Sequence, residues 1–252
     1  MAGHSKWANI QHRKGAQDKK KAKIFAKLSK EITIAVKMGG NADPDMNPRL
    51  RLAIANARGQ SMPKDNITRA IDKGAGGGGE AYEDIRYEGF APGGVGLIVE
   101  ASTDNKNRSG GDIRATFAKN GGNLGETGAV SFGYDQVGQL VFPADAGDED
   151  SVMEAAIEAG AEDVESDENA HLIYTAREDL MEVASALDGK FGDVEASSTA
   201  LVWKPQNLIP VEDEETAGKI LKLIELLEDL DDVQNVYSNY DISDDIMEKI
   251  LS

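Results

Sequence analysis

At 252 residues, 40% of them hydrophobic, the chain is long enough for two or three domains with real cores, which excludes a disordered protein. The lack of any cysteine excludes disulfides, thiolate nucleophiles and cysteine-based zinc or iron-sulfur sites. No apolar run approaches the ~20 residues that span a bilayer and no signal-peptide segment opens the chain, so a soluble cytoplasmic protein without membrane partners is expected.

Charge divides the chain at residue 79. Residues 1–79 hold 16 Lys and Arg against 6 Asp and Glu, whereas the rest holds 11 against 39, for a whole-chain net of −18. Fields are screened within ~8 Å at physiological salt, so a polyanion meets the local surface rather than the whole-chain charge. The N-terminal part is expected to bind nucleic acid, and the remainder to be repelled by it.

Residues 2–14, AGHSKWANIQHRK, have no amphipathic period and concentrate Lys6, Trp7, His12, Arg13 and Lys14. They read as an extended arm whose cations neutralise phosphates. Trp7 either stacks on an unpaired base, for ~1–3 kcal/mol, or plugs the arm onto a helical unit. His4 and His12 have no cysteine or third histidine nearby, so no metal is assigned.

Between 19 and 38 the apolar Phe25, Leu28, Ile32 and Val36 share one side of a helical wheel, while Lys19, Lys20, Lys23, Lys27, Lys30 and Lys37 gather on the other. Gly39 and Gly40 stop this helix. Asn47 and Pro48 start a second, bearing Arg49, Arg51 and Arg58. Pro63 opens a third that carries Lys64, Arg69 and Lys73 and ends at Gly74. The glycine-rich 74–79, GAGGGG, is expected to be a flexible joint that lets the basic head move.

Beyond it the period changes to two. Strands are expected at 85–90, 95–101, 130–134, 140–142, near Val164, at 172–175, near Val194, and at 200–203 and 233–237. Helices are expected at 112–119, 150–159, 180–187 and 216–227. Within 138–198 the order is β-α-β-β-α-β, the ferredoxin-like unit, and the flanking elements repeat that order around it. The predicted fold class is α+β: an N-terminal three-helix domain followed by two ferredoxin-like α/β domains, one inserted into the other. The domains are 1–79, then 80–136 with 199–252, and the inserted acidic 137–198.

No catalytic group stands out. Acidic clusters at 148–150 and 212–215 sit where helices begin, as capping carboxylates do, and His171 reads as a packed or surface histidine. Between Lys119 and Arg177 there is no Lys or Arg. The cluster Lys106, Arg108 and Arg114, with Lys119, is either a second phosphate contact or charge balance for acidic neighbours.

The blocks AGHSKWANIQHRKGAQDKKKAKIFAKL, MGGNADPDMNPRLRLAI, MPKDNITRAI, YEGFAPGGVGLIVE, DNKNR, GGNLGETGAVSF, EAGAEDVE and LLEDLDDVQNVYSN together resemble the YebC family along essentially the whole chain. That resemblance implies a helical N-terminal domain, two nested α/β domains and a non-enzymatic role in gene expression. The family's mitochondrial relatives are translational activators, and the resemblance implies either DNA-binding transcriptional regulation or a function in translation on the ribosome, including on consecutive prolines.

The expected function is nucleic-acid binding without cofactor, metal or small-molecule substrate. A translation factor contacting ribosomal RNA stands first, and a transcriptional regulator binding DNA is the alternative. The expected contacts are Lys6, Trp7, His12, Arg13, Lys14, Lys19, Lys20, Lys21, Lys23, Lys27, Lys30, Arg49 and Arg51. The acidic domains would face basic ribosomal proteins or solvent.

Overall fold

The computed structural model describes residues 17–77 and 81–251. In chain order it contains α1 (Gln17–Gly39), α2 (Pro48–Gly59), α3 (Lys64–Ala75), β1 (Glu83–Phe90), β2 (Gly96–Thr103), α4 (Lys106–Lys119), β3 (Asn123–Leu124), β4 (Tyr134–Pro143), α5 (Glu149–Glu158) and β5 (Asp163–Ser166). There follow β6 (Ala170–Thr175), α6 (Leu180–Leu187), β7 (Ser198–Pro205), β8 (Ile209–Val211), α7 (Glu214–Glu228), β9 (Val233–Ser238), β10 (Tyr240–Ile242) and α8 (Asp244–Leu251). The fold is α+β. The chain divides into two compact units, Met1–Gly79 with Val137–Val202, and Glu80–Gln136 with Trp203–Ser252. Among the described residues no helix is long and apolar enough to cross a membrane.

In the first unit, helix-forming Lys, Ala, Leu and Ile carry α1 to Gly40, which takes the left-handed φ of 63° that ends it. Ile32, Ala35 and Val36 pack with Leu50, Ala53, Ile54, Ala57, Met62, Ile67 and Ala70 of the next two helices, and Phe25 and Leu28 lie against this cluster. Asn47 joins the first two helices. Its Oδ1 caps α2 by accepting from the Leu50 N–H at 3.1 Å, while Nδ2 donates to the carbonyls of Ala35 at 2.8 Å and Asn41 at 2.9 Å.

The expectation that Gly74 belongs to a flexible joint is corrected. Gly74 is a buried residue inside α3, where an added Cβ would stand 2.7 Å from Val36 Cβ and 2.9 Å from the Thr33 carbonyl. With Ala70, whose carbonyl accepts from Thr33 Oγ1 at 3.1 Å, it forms a small-residue stripe that lets α3 close on α1. Gly78 and Gly79 lie outside the described residues.

The inserted segment has strand order β5-β6-β4-β7, which is the ferredoxin-like arrangement, with α5 and α6 packed on Leu140, Phe142 and Ile173. Its fourth strand is β7, not the strand expected near Val194. Gly189 and Gly192 take positive φ and turn the chain through that stretch, so pairing waits for the longer apolar run that follows.

The basic head is fastened to this segment. The Asn56 side chain pairs with the main chain of Thr199 on the edge strand β7, and Gln60 Nε2 donates to the Ser197 carbonyl at 2.7 Å. A Cβ on Gly59 would stand 2.3 Å from the Ala196 carbonyl oxygen, so glycine permits the approach. The head thus rests on the inserted segment through Asn56, Gly59 and Gln60. Segment 137–202 holds 17 Asp and Glu against 2 Lys and Arg, so the docked partners carry opposite charge.

In the second unit the sheet order is β3-β1-β2-β9, all pairs antiparallel, and β8 and β10 form a separate two-stranded parallel sheet. This is again a ferredoxin-like layout of slots. The slot expected for 200–203 is filled by β1, from ahead of the motif, because β7 completes the other sheet. The strand expected at 130–134 is a 3-10 turn over Ser131–Gly133, after which β4 begins.

Candidate nucleic-acid interface

Of the expected contacts, Lys6, Trp7, His12, Arg13 and Lys14 lie outside the described residues, as do the side chains of Lys19 and Lys20. On α1, Lys21 is exposed with its ammonium 5.7 Å from the centre of the Phe25 ring, a cation–π contact that covers the end of the apolar face. Lys23, Lys27 and Lys30 are half-buried and share a wheel sector at 3.6 residues per turn. Ile34 falls in that sector too and is fully buried, and residues 32–36 are buried on every side of the helix. Among the described residues, Lys23, Lys27 and Lys30 of that sector therefore precede the stretch of α1 that the protein covers on every side.

The structure separates the two arginines of α2. Arg49 is clasped to Glu31, Nε to Oε1 at 2.7 Å and Nη2 to Oε2 at 3.1 Å, and its Nη1 approaches Met38 Sδ at 3.2 Å. This bidentate pair ties α2 to α1 and takes up the donors a phosphate would need. Arg51 is exposed, as are Arg58, Lys64, Arg69 and Lys73 farther along the head.

The second basic cluster resolves toward charge balance at its centre. Arg108 Nη2 contacts Asp104 Oδ1 and Asp232 Oδ2, both at 2.8 Å, and these bonds, Asp232 first, hold its guanidinium even more firmly protonated than usual. Asp232 Oδ2 also accepts from Ser109 Oγ at 2.6 Å and Thr103 Oγ1 at 3.0 Å, locking the start of α4 to the turn before β9. Lys106 and Arg114 remain exposed on α4.

The acidic groups at helix starts cap them. Asp148 accepts from the Ser151 N–H and Asp213 from the Thr216 N–H, each at 2.8 Å, and those backbone bonds lower both carboxyl pKa values. His171 is buried between Ser166 Oγ, 2.8 Å from Nδ1, and the Gly147 carbonyl, 3.1 Å from Nε2.

Two features carried no legible sequence signal. One is the docking trio Asn56, Gly59 and Gln60. The other is Glu88, 2% exposed, whose Oε2 accepts from the N–H groups of Val130 at 2.8 Å and Ser131 at 2.9 Å. Burial raises its pKa, but the backbone bonds from Ser131, Val130 and Gly128 outweigh that and bring it down to about 2.

Comparison with known proteins matches the family model described as the TACO1/YebC protein N-terminal domain over residues 5–77, and that described as the TACO1/YebC second and third domain over 82–240. A probable transcriptional regulatory protein of Maricaulis maris is 62% identical over 99% of this chain and 100% of its own length. One from Hyphomonas neptunium is 62% identical over 99% of each. A crystal structure of a conserved hypothetical protein from Aquifex aeolicus superposes with a TM-score of 0.85 at 46% identity, covering 95% of this chain and 98% of that one. Matched along nearly its whole length in sequence, domain order and fold, the chain belongs to the YebC family.

Proposed function

We propose that this protein is a non-enzymatic regulator of gene expression that binds nucleic acid through its N-terminal 79 residues, and that its target is ribosomal RNA. The observation that carries this reading is the basic stripe on the first turns of α1, within a segment of 16 cations against 6 anions. Such a stripe contacts phosphates, while segment 137–202, with 17 anions against 2 cations, is repelled by them and suits basic protein. A ribosome offers RNA and basic protein in one footprint. A second reading, a transcriptional regulator on duplex DNA, is favoured by the names of the Maricaulis and Hyphomonas relatives.

The test replaces Lys19, Lys20, Lys23 and Lys27 together by Gln and measures affinity for ribosomal RNA and duplex DNA against salt. Each phosphate that is no longer neutralised lowers the slope of log affinity against log salt by ~0.7–0.9, so a fall of about 3 is expected. An unchanged slope sinks the reading. Salt-labile comigration with ribosomal particles on a density gradient separates the RNA target from DNA.

A further inference from the structure

Phe132 is 81% exposed, the most exposed large hydrophobic residue among those described. It stands at the middle of the Ser131–Gly133 turn, whose backbone is held on both sides. The buried Glu88 carboxylate takes the N–H groups of Val130 and Ser131, and its other oxygen meets Arg86 Nε at 3.0 Å. The Gln206 N–H donates to the Gly133 carbonyl at 2.9 Å, and the Tyr134 hydroxyl donates to that of Gly96 at 3.0 Å. Val130 itself is buried, with Cγ1 only 2.7 Å from where a Cβ on Gly96 would stand. A buried charge and four hydrogen bonds to or beside the turn thus fix the support of a ring that stands in solvent. Gln206 also draws in the segment that carries Leu208, 53% exposed.

We propose that Phe132 is a preorganised anchor by which the second unit docks into an apolar pocket on a basic protein surface. An exposed aromatic on a rigid support loses little conformational entropy on binding, which is what anchor residues at the centre of protein interfaces require. Charge selects the occupant. The exposed Glu126 and Asp135 flank the turn, and residues 80–136 and 203–252 hold 22 Asp and Glu against 9 Lys and Arg. A nucleobase presented on a polyphosphate chain is disfavoured there, and a cationic protein rim is attracted. The inference rests on the ribosomal reading above for the source of that protein.

The experiment uses the full chain with purified ribosomes and, separately, naked ribosomal RNA. Phe132→Ala is expected to weaken ribosome affinity by at least about tenfold and leave RNA affinity within about twofold, while Phe132→Trp retains ribosome binding. A photoreactive phenylalanine analogue at 132 is expected to crosslink to protein, giving a product that resists ribonuclease. Equal loss of affinity for naked RNA, or a crosslink to RNA, overturns the proposal in favour of base stacking. A Phe132-dependent dimer in sedimentation of the chain alone overturns it in favour of self-association. Undiminished ribosome binding by Phe132→Ala overturns the anchor but leaves the ribosomal reading standing, whereas failure of the wild type to bind ribosomes overturns both.

Discussion

The carboxamide of Asn56 pairs in both directions with the main chain of Thr199: Oδ1 accepts from the Thr199 N–H at 2.8 Å and Nδ2 donates to its carbonyl at 2.9 Å. A side chain on a helix thereby supplies what a neighbouring strand would supply to the edge strand β7. Asn56→Ala leaves both backbone groups without these partners in a half-buried place. The expected cost is about 1–3 kcal/mol in urea unfolding, with faster amide exchange at Thr199. An unchanged midpoint and unchanged exchange would show that the contact does not hold the head.

Glycines in helices divide by their surroundings. Gly74→Ala puts a methyl against Val36 and the Thr33 carbonyl and is expected to destabilise by about 1–3 kcal/mol, through helices forced apart. Gly218→Ala, inside α7 with nothing within 4 Å of the added carbon, is expected to stabilise by about 0.5–1 kcal/mol. Thermal unfolding of the two variants checks the opposite signs.

Glu88 is expected to make the second unit acid-sensitive. Its folded-state pKa of about 2 lies below the ordinary 4.5, so its contribution is complete above the ordinary value and is lost as pH falls from 4.5 toward 2. A lowering of that size corresponds to at most about 3.4 kcal/mol. Glu88→Gln is expected to be less stable than wild type at pH 7 and to converge with it near pH 2. Parallel stability curves across that window would refute the assignment.

Arg108 tests the division between structural cations and those proposed to bind nucleic acid. Bound to Asp104 and Asp232, it is expected to leave ribosomal RNA affinity within about twofold when changed to Ala, whereas Lys23→Gln with Lys27→Gln lowers the salt slope by about 1.5. Filter-binding titrations at several salt concentrations compare the two. A fall in slope for Arg108→Ala would return that residue to the interface.

The helices of the head, their caps at Gly40 and Asn47, the apolar face of α1 and the strands 85–90, 172–175 and 233–237 were legible in the chain, because each rests on residues within a few positions of one another. Charge likewise set the basic head apart from the acidic remainder of the chain. Other features turned on partners far away. Ile34 lies in the lysine sector of α1 yet is buried, Arg49 faces Glu31, and Arg108 faces Asp232. None of these pairings has a local period.

Periodicity and capping are short-range physics, so the amino-acid order alone carries the elements, the charge division and the α+β class. Strand slots and docking depend on which surfaces are left to bury once the elements exist. Hence β7 took the slot expected for the strand near Val194, β1 filled the slot expected for 200–203, Gly74 became a helix contact instead of a hinge, and Asn56 met Thr199 across 143 positions of chain. Long-range packing likewise held the turn beneath Phe132, where a two-residue period had read only another strand.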